Sequence, residues 1–191
     1  MISDADASTS TLHLLVWQAL KTYTIDALLP LLDDGDPVVR TAVARELHVR
    51  GGRRVFEAML ARCDDDGADS REIAAFTLGQ LGLPSFPFRS ESISRLIDLT
   101  ASECEPSSDV RAAAVAALGH LHAVEAKEAL FKAAHDVSVD VRANAAVSLG
   151  RLGAAPDILH ALQILLRDES SEVREWAELG HDIANEMDGL S

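Results

Sequence analysis

The sequence predicts an all-α, right-handed solenoid, a superhelix of about five helix pairs behind an N-terminal capping helix. Three observations predict it. A short pattern, made of an acidic or small polar start, an arginine and then alanines, recurs around Arg40, Arg71, Arg111, Arg142 and Arg174 at separations of 31, 40, 31 and 32 residues. A period in this range marks an architecture of stacked units, each burying its apolar face against its neighbours. Apolar residues also recur at fixed offsets from those arginines: Leu28, Met59, Leu99, Leu130 and Leu162 twelve before, and Leu47, Leu78, Leu118 and Leu149 seven after. Each period therefore carries two amphipathic helices facing one seam. Finally, aromatic residues make up only 4% of the chain, which suits helices packed through alanine and leucine better than a β-sandwich.

Taken in order, residues 1–11 are polar, acidic and rich in Ser, Thr and Ala, and read as a disordered or frayed lead-in. One solenoid domain is expected over 12–191. Leu12, Leu15, Val16, Ala19, Leu20 and Tyr23 fall on helical spacing and define the capping helix. The repeats follow at approximately 24–50, 51–82, 90–121, 123–153 and 155–187. Fifteen residues before the arginines stand Ile25, Phe56, Leu96, Lys127 and Leu159, with Lys127 the exception to an apolar column. For the helix starts, Asp36 precedes Pro37 at the first helical position, Asp69 with Glu72 reads as a capping box, and Ser108 and Ser138 are further caps. Gly79, Gly82, Gly119, Gly150 and Gly153 belong to the close packing and termination of the second helices. The 40-residue separation carries about nine extra residues, placed at an inserted loop over 83–90, where Pro84 and Pro87 forbid a helix. Phe86 and Phe88 in that loop are either a clasp over the adjacent repeat or a contact site. In the last unit His181 and Glu178 replace apolar residues, as a terminal repeat with a polar outer face requires.

Composition excludes several functions. With 17 basic against 31 acidic residues the formal net charge is −14, a field that repels polyphosphate and attracts basic partners, so nucleic-acid binding is not expected. Cys63 and Cys104 lack any CxxC or zinc-ribbon spacing and read as reduced structural thiols. The N-terminus lacks a signal-peptide pattern and no apolar stretch is long enough to span a bilayer, so a cytoplasmic protein without membrane partners is expected. His120 and His122 diverge around a helix and the other histidines are dispersed, which gives no metal site and no cofactor. No phosphate loop, nucleophile elbow or Cys/His pair offers a catalytic residue.

What remains is surface. The five arginines, Arg40, Arg71, Arg111, Arg142 and Arg174, each lie two or four residues after a carboxylate and read as a structural ladder, the guanidinium bridging to the turn of the next repeat. Positions two, six and nine after each arginine are expected to line the concave side, and unlike the seam they vary from copy to copy. Ile73, Gln80, His120, Asn144, Ser148, Arg151 and Trp176 are therefore the expected partner contacts, with Trp and Arg the usual anchors of an interface.

The heads Val38-Val39-Arg40, Asp109-Val110-Arg111, Asp140-Val141-Arg142 and Glu172-Val173-Arg174, each followed by alanines and, in the middle units, Leu-Gly, resemble HEAT repeats of the short bacterial type, including those of bilin lyases. Ile25-Asp26-Ala27-Leu28, Leu32-Asp33-Asp34, Val49-Arg50-Gly51-Gly52 and Arg71 to Leu81 resemble more narrowly the first half of enterobacterial HEAT-repeat proteins encoded beside Rhs toxins, which are regarded as immunity proteins. The resemblance implies a binding protein whose partner is a protein, in the narrower case a basic toxin domain. An assembly scaffold or adaptor without a toxin, or a HEAT-type lyase or related enzyme, are the alternatives. The paired His-Glu dipeptides of the HEAT-repeat hydroxylase that acts on deoxyhypusine are missing from this chain. Neither the partner nor the oligomeric state follows from these residues.

Overall fold

In the computed structural model, residues 14–188 are described, with side chains through Met187. The lead-in expected over 1–11 and the first turn of the capping helix lie outside the described residues. Helix α1 covers 14–20. It buries Leu20 and half-buries Val16 and Trp17, while Leu15 and Tyr23 stay exposed. Its contact face is thus rotated from the one its apolar spacing defines, because Trp17 supplies the larger apolar surface.

Ten further helices form five pairs: α2 (Ile25–Leu28, continued by a 3-10 segment Leu29–Asp33) with α3 (Pro37–Arg50), α4 (Arg53–Arg62) with α5 (Ala68–Leu78), α6 (Arg89–Thr100) with α7 (Ser108–His120), α8 (Lys127–Ala133) with α9 (Val139–Gly150), and α10 (Pro156–Leu165) with α11 (Ser171–Asp188). Each second helix packs on the second helix of the next pair, α3 on α5, α5 on α7, α7 on α9 and α9 on α11. This is an α-solenoid. The seam is continuous: Leu28, Leu47, Met59, Leu118, Leu130, Leu149 and Leu162 are all wholly buried. Lys127 breaks the apolar column because it works at the surface, its Nζ 2.6 Å from Asp157 of the next pair and 5.8 Å from the Phe131 ring.

Local chemistry sets the helix starts. Asp36 accepts from the Val38 N–H at 2.8 Å with Pro37 behind it. Two expected caps fall elsewhere. Gly67, not Asp69, precedes α5, and Asp69 pairs with Arg40 at 3.1 Å instead of forming a box with Glu72. Ser107, one residue before Ser108, caps α7 by accepting from Val110. The inserted loop is a clasp: Phe88 stacks on Phe56 of α4, ring centroids 4.5 Å apart, under the Arg53 guanidinium, and Phe86 packs on the core. Of the two readings of Phe86 and Phe88, the packing is that of the clasp: both rings are half-buried on the protein itself, which takes much of their apolar surface out of water.

The arginines form a ladder with a fixed wiring. Arg111 donates from Nη1 to the carbonyls of Glu105 and Pro106 at 3.0 and 3.1 Å, and from Nε and Nη2 to both carboxylate oxygens of Asp136 in the next repeat at 2.8 and 2.9 Å. Arg142 repeats this with its own turn and Asp168, and Arg71 with its own turn and Glu105. The carboxylates that complete the rungs stand six residues before the next arginine, at the start of the turn, where they also accept from the backbone N–H of Ser107, Ser138 and Ser170. The acids two residues before the arginines lie outside these rungs, Asp69 apart, which Arg40 takes in place of Asp65. In the last pair Arg174 holds the carbonyls of Asp168 and Glu169, and no carboxylate among the described residues. A guanidinium suits this post because its planar fork meets a carboxylate with two bonds and still has a face for the turn.

Burial pushes the Glu105 and Asp136 carboxyls up, but their arginine partners and the serine N–H groups outweigh it and hold both below the ordinary range. The Arg142 hydrogen bonds do the same for Asp168. The folded carboxyls thus release their protons at lower pH than the unfolded ones, which titrate near about 4. The stability they contribute is present above that value and is lost as pH falls through it toward the folded values. The urea midpoint is expected to be level near neutrality and to drop below about pH 4.5, with a shallower drop in Arg142→Ala. Parallel pH profiles for the two proteins would remove the ladder as the cause.

Glycine sets the spacing of the second helices. A Cβ at Gly79 would lie 2.5 Å from the Ala117 Cβ, at Gly119 2.4 Å from the Ser148 Oγ, and at Gly150 2.2 Å from the Gly180 carbonyl oxygen. Each glycine is eight residues after a ladder arginine and meets the residue six after the next one. Helices α5, α7, α9 and α11 therefore touch nearly backbone to backbone.

Candidate functional site

This contact decides which side chains face outward. The sixth position after each arginine lies between neighbouring second helices, so Thr77, Ala117 and Ser148 are buried. Ser148, 1% exposed, donates its hydroxyl to the Val115 carbonyl of α7 at 2.9 Å. With its hydroxyl spent on a helix-to-helix tie, it is a structural residue at the floor of the cavity it lines with His120 and Asn144, which corrects its place among the expected contacts. Positions two and nine remain on the face.

Toward the C-terminal end they converge. His120 from α7, Asn144 and Arg151 from α9 and Trp176 from α11 share one cavity of about 300 Å3 with Asp140 and Glu172. Trp176 is 43% exposed. Arg151 is half-buried, and burial alone lowers its pKa, with no carboxylate offsetting it. Partial desolvation in the cavity wall and then the charge of Arg151 lower the His120 imidazole from its ordinary value. Asn144 donates back to the Asp140 carbonyl at 2.9 Å, which orients its amide. The cavity is electrically graded: two exposed carboxylates from the first turns of α9 and α11 stand at one end, and at the other a guanidinium that forms no ion pair among the described residues. On α5, Glu72 continues the acidic side. Its carboxyl is raised by burial and by Asp109 and Asp69, which crowd it with like charge.

The other expected contacts lie apart from this cavity. Ile73 is half-buried against the core. Gln80 lines a second cavity of about 650 Å3 between α1, α3 and α5, with Leu14, Trp17, Thr41, Ala42, Arg45, His48, Val49 and Phe76. Trp17, Arg45, His48 and Phe76 are absent from the sequence-based set because they sit at positions other than two, six and nine, and because Trp17 precedes the first repeat. The one signal in the sequence is His48, which occupies the position held by glycine in the next three units. Among the described residues no cluster of His, Cys, Asp or Glu is placed to hold a metal ion, and no helix is long and apolar enough to cross a membrane.

Helix pairs stacked on a seam, with variable side chains gathered on the second helices, make a HEAT/armadillo-like repeat solenoid. Residues 93–180 match the family described as HEAT repeats. Protein YibA of Escherichia coli K12 is 26% identical over 174 residues, covering 88% of this chain and 61% of YibA, so the chain spans about three fifths of that relative's length. The X-ray structure of E. coli YibA superimposes with a TM-score of 0.78 at 26% identity, over 89% of this chain and 62% of that one. The complex of CpcE and CpcF of phycocyanin lyase from Nostoc sp. PCC7120 contains a chain with a TM-score of 0.67 at 24% identity, over 86% of this chain and 98% of that one. A designed armadillo repeat protein in complex with the peptide (KR)4 matches at a TM-score of 0.60 and 16% identity, over 94% of this chain and 92% of the designed one.

Proposed function

We propose that this chain is a non-enzymatic binding protein that holds a basic protein partner on its second-helix face, and that the partner is a toxin domain which it neutralises. The observation that carries the binding reading is the C-terminal cavity, where an exposed indole, two carboxylates and a guanidinium with no ion pair among the described residues converge from the last two repeats, with His120 of the repeat before them. Trp and Arg are the residues that dominate interface energies, and here Trp176 is 43% exposed and Arg151 forms no ion pair among the described residues. The net charge of −14 and the acidic side formed by Glu72, Asp109, Asp140 and Glu172 favour a basic partner, since opposite fields accelerate association. The toxin reading rests on the narrower resemblance of the first two repeats. An adaptor without a toxin uses the same face.

Capture of a partner from the native host, followed by affinity measurement with Trp176→Ala/Arg151→Glu, tests the face. Loss of one to two orders of magnitude in affinity is expected, about 1.4–3 kcal/mol, at unchanged helicity. Retained affinity would move the interface elsewhere. A toxic activity of the captured partner that this chain suppresses supports neutralisation, and an inert partner leaves the adaptor. Stoichiometric chromophore or metal in the purified protein would overturn the non-enzymatic reading.

A further inference from the structure

The larger cavity exists because the first repeat breaks the glycine rule. Eight residues after Arg40 stands His48, where the next three units have Gly79, Gly119 and Gly150. Since a Cβ at those glycines would fall within 2.5 Å of the neighbouring helix, the His48 imidazole keeps α3 from meeting α5 along its length as the later helices meet, although the His48 carbonyl still accepts from the Gly82 N–H beyond the end of α5 at 3.1 Å. The hydroxyls record the difference. Ser148 ties α9 to the Val115 carbonyl of α7, whereas the Thr77 hydroxyl, in the same register on α5, is buried without a partner. The gap is walled by Trp17 of the capping helix and by His48 and Phe76, whose rings meet edge to face at 6.2 Å.

The charge in this gap runs against that of the molecule. The chain has 31 acidic residues, yet among the described residues the cavity is lined by no carboxylate and by one guanidinium, Arg45. Arg40, Arg50, Arg53 and Arg54 around it are each paired with an acid, while Arg45 is exposed and forms no ion pair among the described residues. Lys21 adds a second cation, its Nζ 4.4 Å from the Trp17 ring centroid. The Trp17 indole N–H is buried and has no acceptor among the described residues. An apolar, aromatic-walled space of this volume, with a free guanidinium at its mouth and an unmet N–H donor in its wall, has the size and lining of a ligand pocket, and it selects an aromatic group accompanied by an anion.

We infer that this cavity is a second, anion-selective anchor point, taking an aromatic side chain of the protein partner flanked by an acidic residue. The inference rests on the reading of the second-helix face as the binding surface. A partner segment lying along the face then meets cation at the α3/α5 end and carboxylates at the α9/α11 end, which fixes its direction.

The two tryptophans serve as reporters, one in each cavity, their indole N–H resonances told apart by Trp17→Phe. Three N-acetylated, C-amidated pentapeptides are titrated: Gly-Glu-Phe-Glu-Gly, Gly-Lys-Phe-Lys-Gly and Gly-Glu-Ala-Glu-Gly. The first is expected to shift the Trp17 indole saturably, with a Kd at least about tenfold below the other two. Arg45→Gln, an exposed substitution that leaves the core intact, should abolish the preference for the acidic peptide. His48→Gly, which restores the repeat glycine, should close the cavity and remove the response. Equal responses to all three peptides, or a preference that survives Arg45→Gln, overturn the inference. A shift confined to the Trp176 indole overturns it while leaving the binding face standing. Silence of both indoles, together with failure of the capture assay, overturns both. Binding that arises only after deletion of residues 1–13 would assign the cavity to the chain's own N-terminal segment and overturn a partner as its occupant.

Discussion

Arg111→Ala is expected to lower the melting temperature by on the order of 10 °C, the largest effect of any single polar substitution in this chain. Arg111 and Asp136 are 5% and 6% exposed, so neither can recover its lost bonds from water. Removing the guanidinium strands the Asp136 carboxylate and two turn carbonyls at once. Breaking a buried ion pair from one side costs about 3–5 kcal/mol, and each kcal/mol moves the midpoint of a protein this size by about 2–4 °C. Arg111→Lys should recover only part of the loss, because an ammonium cannot supply the fork. The contrast is Arg53→Ala. That residue meets Glu57 at 3.9 Å with both side chains more than half exposed, and its removal should stay within about 1 kcal/mol. The comparison is made by thermal unfolding followed by circular dichroism. Equal midpoints for Arg111→Ala and the native chain would show that the ladder is geometry without energy.

Gly150→Val is the second large effect, with an expected loss of about 3 kcal/mol or more. The clash at this site is with backbone: the added Cβ would stand 2.2 Å from the Gly180 carbonyl oxygen and 2.8 Å from its Cα. No rotamer relieves it, so α9 and α11 must move apart, and the buried seam of Leu149, Leu162, Val173 and Ala177 opens with them. Urea unfolding gives the loss in stability. Trp176, which lies over this junction, reports the separation by a change in emission. A Gly150→Val protein with native stability and an unmoved Trp176 would show that the second helices slide freely, and would also remove the explanation given for the His48 cavity.

The comparison of sequence with structure is instructive at particular residues. Spacing alone located the seam, because burial of a helix face demands the same offset in every copy, and Leu28, Met59, Leu130 and Leu162 obey it. Spacing misplaced Ser148, since positions six and nine lie on neighbouring stripes of one helix and only the approach of α7 separates a buried stripe from an open one. It set the ladder arginines against the turn of the next repeat, but it did not single out the acids that close three of the rungs, Glu105, Asp136 and Asp168, 34, 25 and 26 positions away. Cap assignments slipped by a residue or two at Asp69 and Ser108, where several polar residues in succession can each serve.

By itself, then, the sequence determined the architecture and the variable positions, because both follow from a period that repeats along one chain. The tertiary structure decided which of those positions are open, how the ladder is wired, and that the face carries two basins of different charge. Those properties depend on the distance between helices, and that distance is set by single residues acting across repeats: a glycine at Gly79, Gly119 and Gly150 that lets backbones meet, and an imidazole at His48 that keeps them apart.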